Sequence, residues 1–185
     1  GRGWSPRAHQ LELIEKAEAG RSTLLSAPTG AGKTLAGFLP SLIELNTQNA
    51  LRNSPLRDGP HTLYISPLKA LAVDIARNLE APISEMGLPI TMETRTGDTP
   101  QNRRKRQKEN PPDILLTTSE QVALLVRQPD AARFFSELKV IIVDELHSIV
   151  TSKRGDLLAL GIARLRQHAP GLRLVGVSAT VAEPN

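Results

Sequence analysis

Lys33 sits in the run Ala27-Pro28-Thr29-Gly30-Ala31-Gly32-Lys33-Thr34, whose residue types and spacing suit the holding of phosphates. Gly30 and Gly32 permit positive φ, so successive backbone N–H groups can turn inward and form a nest for an anion. A helix starting at the lysine adds its partial positive charge. Lys33 then reaches the β- and γ-phosphates, and the Thr34 hydroxyl is a ligand for Mg²⁺. The full phosphate-loop pattern has glycine where this chain has Ala27, and a bare Gly-Lys-Thr arises often by chance. Context lifts the motif above chance: an apolar strand precedes it and a helical pattern follows.

Asp144 and Glu145 end the apolar run Val140–Val143. Strand termini at the C-terminal edge of a parallel sheet face the crevice where ligands bind. Asp144 is suited to hold Mg²⁺ there through water, and Glu145 to orient and activate an attacking water. Two carboxylates after a strand also occur as a solvated turn; the phosphate loop upstream favours the chemical reading. His147 reads either as a packed or solvated histidine or as a link from the acidic pair to later elements. Ser178-Ala179-Thr180 ends another apolar run, and its small hydroxyl residues are placed to hydrogen-bond to the acidic pair and report its state.

These residues need a scaffold that brings strand ends together. Short apolar runs at Thr23–Ser26, Thr62–Ile65, Ile90–Thr94, Ile114–Thr118, Val140–Val143 and Leu172–Val177 are rich in Leu, Ile and Val, with little polar alternation. That composition fits parallel strands buried on both faces. Helical patterns alternate with them at Arg7–Ala19, Lys33–Leu45, Lys69–Asn78, Gln121–Val126 and Asp156–His168. The alternation predicts an α/β fold, three layers with a mainly parallel central sheet and helices on both faces. Asn46–His61 carries Asn, Pro, Gly and Arg and reads as a surface loop of variable length. Arg103–Lys108 is the densest charge cluster, either a solvated helix face or a phosphate contact.

With 185 residues and 39% hydrophobic content, one domain with one core is expected. The chain has no cysteine, which excludes a disulfide framework or a thiolate-bound zinc and fits a reducing, cytoplasmic setting. No run approaches the roughly 18 apolar residues of a membrane span. The net charge of +4 is mild support for an anionic partner. The only methionines are Met86 and Met92, and the chain stops just after the Ser-Ala-Thr motif, so residues 1–185 read as one lobe of a longer protein.

In order, Gln10, APTGAGKT (27–34), SPLKAL (66–71), RTGD (95–98), TTSEQ (117–121), DELH (144–147) and SAT (178–180) resemble the first RecA-like lobe of superfamily 2 DExH-box helicases, over essentially the whole chain. YISPLKALAVDI (64–75) and KRG (153–155) are most similar to the large-helicase-related family. GWSPRAHQ and RTGDTPQNRRKR look most like its bacterial branch associated with DNA ligase and DNA repair. The resemblance implies that Gln10, with Arg7 and Trp4 nearby, recognises adenine; a carboxamide both donates to and accepts from that edge. It implies that Pro67, Leu68, Lys69, Arg95, Thr96, Gly97, Asp98, Thr117 and Thr118 track the backbone of a single strand, with DNA favoured. It implies ATP and Mg²⁺ as cofactors. As partners it implies a second RecA-like lobe with an arginine finger, and winged-helix and further C-terminal domains. Ser119 stands where the family usually has proline, so a looser turn is expected there. An RNA helicase or remodeller with the same lobe, and a non-catalytic nucleotide-binding module, remain alternatives; intact Lys33, Asp144 and Glu145 argue against the last.

Overall fold

The six apolar runs become β1 (Thr23–Ala27), β2 (Thr62–Ser66), β3 (Met92–Arg95), β4 (Ile114–Thr118), β5 (Val140–Val143) and β6 (Arg173–Ala179). They form one sheet in the order β1-β6-β5-β2-β4-β3, and every pairing is parallel. The structure is a computed structural model that describes residues 7–27, 32–52, 57–150 and 153–179.

The side-chain period of two sorts each strand between two cores. Tyr64, Ile114, Leu116, Ile142, Val175 and Val177 face α1 (Ala8–Glu18), α2 (Lys33–Leu51) and α3 (Lys69–Glu85). Leu63, Ile65, Leu115, Ile141 and Val143 face α5 (Ser119–Leu125), α6 (Ala131–Phe134), α7 (Leu146–Val150) and α8 (Lys153–His168). Each fully buried aliphatic side chain contributes about 1.5–3 kcal/mol from transfer out of water. The expected three-layer α/β arrangement is present, with a sheet wholly parallel among the described residues. No helix among them is long and apolar enough to cross a membrane.

Several boundaries differ from the sequence reading. Helix α2 runs on to Leu51 through the polar stretch assigned to a loop. The Asn49 carboxamide donates to the Pro89 carbonyl at 2.7 Å, a tertiary bond that outweighs weak helix propensity. Helix α3 continues past Asn78 because Leu79 and Ile83 extend its buried face. Arg52 and residues 57–59, either side of the rest of that stretch, are anchored by tertiary contacts. Arg57 is 7% exposed, pairs with Asp113 and lies 2.8 Å from Glu137, which also holds Arg52 at 2.9 Å and accepts the Asp58 N–H at 3.0 Å. At Gly59 a Cβ would fall 1.9 Å from the Phe134 carbonyl oxygen, so no side chain fits. The charged helix α4 (Gln101–Glu109) flanks the edge strand β3, with Arg103 and Arg106 each 3.0 Å from Glu93.

Candidate nucleotide site and strand-tracking surface

Helix α2 begins directly after Gly32, whose φ of 70° is the left-handed conformation that glycine adopts without a Cβ penalty. That turn sets Lys33 and Thr34 at the helix start, beside the C-terminal ends of β5 and β6. The Lys33 ammonium donates to the Ser178 carbonyl at 3.3 Å, and the Thr34 hydroxyl donates to Asp144 Oδ2 at 3.2 Å. Ala27 and Ala179 are register partners at the ends of β1 and β6. Pro28, Thr29, Gly30, Ala31 and Thr180 lie outside the described residues, as does Trp4.

Asp144 follows β5 and is 4% exposed. Its backbone N–H extends the sheet to the Ile65 carbonyl at 2.9 Å. Its carboxylate takes three donors: Thr34 and Tyr64 (2.7 Å) on Oδ2, and the Glu145 N–H (2.8 Å) on Oδ1. A buried carboxylate needs such donors, because an unpaired charge there is costly. Burial, and then the Asp144 charge, push the Tyr64 phenol far above its ordinary value, so it stays protonated and donates. Tyr64 was not among the site residues read from sequence. The signal for it was a polar atom on a residue wholly inside an apolar strand, which must find a partner.

Glu145 is the one non-glycine residue with positive φ among the described residues, at 49°. Such a conformation costs on the order of 1–3 kcal/mol and is held only where neighbours impose it. Here Asp144 fixes its N–H, and its carbonyl accepts the Ser148 hydroxyl at 2.8 Å and the Ser148 N–H at 2.9 Å. The carboxylate is half-exposed and 3.2 Å from His147 Nε2, while His147 Nδ1 is 3.0 Å from Ser178 Oγ. One tautomer satisfies both contacts: Nε2–H donates to Glu145, and Nδ1 accepts from Ser178. His147 thus touches both Glu145 and Ser178 on β6.

Gln10 lies in the first turn of α1, and its carbonyl oxygen accepts the Arg7 N–H at 2.9 Å. In this structure it caps its own helix.

The other predicted residues gather at the C-terminal ends of β2, β3 and β4. Pro67, Leu68 and Lys69 follow β2, with Leu68 and Lys69 exposed; Lys69 pairs with Asp98 at 2.5 Å. Thr96 and Thr99 close the turn through a 2.9 Å bond that leaves Gly97 and Asp98 exposed. Thr117 Oγ1 donates to the Arg95 carbonyl at 2.7 Å, and both Thr117 and Thr118 are buried. The Arg95 side chain is also buried, its Nη1 3.5 Å from the Arg104 carbonyl, so it does not present a surface cation. Arg104, from the charged run, clasps the turn instead, donating to the carbonyls of Thr99 (2.7 Å), Thr96 (3.2 Å) and Gly97 (2.8 Å). Arg103, Arg106 and Lys108 meet Glu93 or Asp130, so this run is largely paired within the fold and not merely solvated. Ser119, where a looser turn was expected, opens α5 and is wholly buried.

The sequence profile of the DEAD/DEAH box helicase family matches residues 7–185. The chain is 40% identical to the Lhr helicase/probable uracil glycosylase of Mycolicibacterium smegmatis, over 97% of this chain and 12% of that protein. It is 41% identical to the ATP-dependent helicase Lhr-Core of Methanothermobacter thermautotrophicus, over 93% of this chain and 21% of that protein. The chain thus spans between 12% and 21% of the length of these relatives. Among solved structures it is similar to Mycobacterium smegmatis helicase Lhr bound to ssDNA and AMP-PNP. There the TM-score is 0.81 and the identity 40%, over 97% of this chain and 23% of that one.

Proposed function

This chain belongs to the DEAD/DEAH box helicase family, and from that we propose that it is the N-terminal, ATP-binding RecA-like lobe of an ATP-dependent DNA helicase that moves on single-stranded DNA in repair. The observation that carries the reading is the convergence of Lys33, Thr34, Asp144 and Glu145 at one end of the sheet. The relative of known structure binds ssDNA and an ATP analogue, which supports DNA over RNA as the strand.

The donor set fits Mg²⁺. Thr34 Oγ1 and Asp144 Oδ2 are hard oxygens 3.2 Å apart, which suits a small cation that keeps most of its waters. Thr34 and Asp144 would hold Mg²⁺, which would supply positive charge to offset the charge that develops on the phosphates. Lys33 would turn from the Ser178 carbonyl to the β- and γ-phosphates. Glu145 would orient a water and take its proton as the water oxygen bonds to the γ-phosphorus and the bond to the β–γ bridging oxygen breaks, releasing ADP and phosphate. His147 and Ser178 would pass the state of Glu145 to the end of β6. The exposed Lys69, Gly97 and Asp98, with the backbone around them, would follow the strand by sequence-independent contacts.

The test is hydrolysis by the full-length protein carrying this lobe, with single-stranded DNA, single-stranded RNA or neither. DNA-stimulated turnover that Glu145→Gln abolishes while ATP and DNA still bind is the expected result. Turnover within a few-fold of wild type in Glu145→Gln would assign the base elsewhere, and stimulation by RNA alone would move the substrate to RNA.

A further inference from the structure

We propose that Tyr64 is a positioning residue for the divalent cation of this site: its hydroxyl holds the Asp144 carboxylate in the orientation that turns Oδ2 toward Thr34. This rests on the reading of the lobe as a Mg²⁺–nucleotide site. Tyr64 lies in β2, paired with strands on both sides, and is wholly buried. Its ring stacks on Phe38 with centroids 5.3 Å apart. Phe38 is on α2, one turn beyond Thr34 and on the same helix face. The tyrosine therefore packs against the helix that carries the phosphate-binding residues while its hydroxyl reaches the carboxylate on β5.

Of the two donors on Asp144 Oδ2, Tyr64 is the closer, at 2.7 Å against 3.2 Å for Thr34. A cation held by Asp144 and Thr34 would compete with the Thr34 hydroxyl proton for Oδ2, so the Thr34 bond to Asp144 would be given up. The Tyr64 hydroxyl and the Glu145 N–H on Oδ1 then remain to fix the carboxylate. Packing alone does not require the hydroxyl, because phenylalanine fills the same volume without a polar atom that must be satisfied. Partners that orient a ligating group typically matter 10–100-fold in metal affinity. The same bond steadies Asp144 Oδ1, which holds Glu145 in its positive-φ conformation, so Tyr64 acts on the metal ligand and the candidate base together.

The experiment is ADP binding by calorimetry, in EDTA and across a Mg²⁺ series, for wild type, Tyr64→Phe and Phe38→Leu. Tyr64→Phe should bind ADP as wild type does in EDTA but need roughly tenfold more Mg²⁺ for half of the Mg²⁺-dependent gain. Phe38→Leu, which loosens the stack and keeps the hydroxyl, should need nearly the wild-type concentration. A folded Tyr64→Phe with an unchanged Mg²⁺ requirement would overturn the proposal, as would an equal shift in Phe38→Leu. A wild type whose ADP binding ignores Mg²⁺ would instead remove the site reading beneath it. Should Tyr64→Phe unfold, the chain's single tyrosine carries the test in the wild type. Its ultraviolet resonance Raman bands should report a strong donor both before and after Mg²⁺ and ADP are added, and loss of that signature on binding would contradict the role.

Discussion

The Thr34 hydroxyl lies 3.2 Å from Asp144 Oδ2, although 110 residues separate the two in the chain. The contact exists because α2 starts at the end of β1 and Asp144 at the end of β5, with only β6 between those strands in the sheet. A hydroxyl on a carboxylate is also the pair that a divalent cation would replace. Thr34→Ala removes one oxygen of that pair and leaves Lys33 in place. ADP binding in EDTA should then be unchanged, while the enhancement by Mg²⁺ shrinks; calorimetry checks both.

Strand tracking separates residues that the sequence grouped together. If Lys69 contacts a phosphate, Lys69→Ala should reduce the slope of log affinity against log salt by about 0.7 for a single strand. Arg103→Gln and Arg106→Gln should leave that slope alone, because both guanidiniums meet Glu93. Fluorescence anisotropy with a labelled oligonucleotide and the full-length protein measures all three. A slope that ignores Lys69 would give that segment a structural role.

Burial decides which ion pairs hold the fold. Arg57 and Asp113 have side chains only 3% and 7% exposed, and Glu137 closes the group from the other side. Arg57→Ala strands a buried carboxylate and should cost about 3–5 kcal/mol in denaturant unfolding. Lys105→Ala loses only an exposed pair with Glu109 at 3.7 Å and should cost about 0.3–0.5 kcal/mol. Similar losses for both would contradict the anchoring of this loop.

Acid should act through the same carboxylates. Burial pulls Glu44, Glu93 and Glu137 upward, yet all three sit below their ordinary value of 4.5 because hydrogen bonds outweigh it. The bonds come from His61 and Arg173 to Glu44, from Gln107 and Arg103 to Glu93, and from Arg52 and the Asp58 N–H to Glu137. With folded values depressed, the unfolded chain takes up protons first as pH falls. The stability from these groups is in full above about pH 4.5 and is lost as pH drops through the lower folded values. Urea midpoints should therefore hold between about pH 7 and pH 5 and fall toward pH 3. A midpoint that rises on acidification would contradict the sign.

The sheet was legible because its strands are apolar on both faces, so Val140–Val143 and Ile114–Thr118 appear at their observed positions. Helix ends were less legible, since Asn49 and Leu79 extend helices through contacts distant in sequence. That Lys33, Thr34, Asp144 and Glu145 belong together was read from residue type and order, and the fold brings them to one end of the sheet. Tyr64 was not, because what matters is where its hydroxyl arrives after folding. Arg95 shows the converse: its charge suggested a surface contact, and burial places it inside while Arg104 clasps the turn.

The proposed nucleotide site depends most directly on Lys33. On the proposed reading it would supply the cation for the phosphates, and in this structure its ammonium donates to the Ser178 carbonyl. The decisive measurement is calorimetric titration of Mg-ATP into wild type and Lys33→Ala, with thermal unfolding of both recorded alongside. A charge-assisted contact of this kind is worth about 1.5–3 kcal/mol. The variant should therefore bind roughly 10- to 150-fold more weakly while unfolding at nearly the wild-type temperature. Equal affinity in two equally folded proteins would contradict the nucleotide site itself.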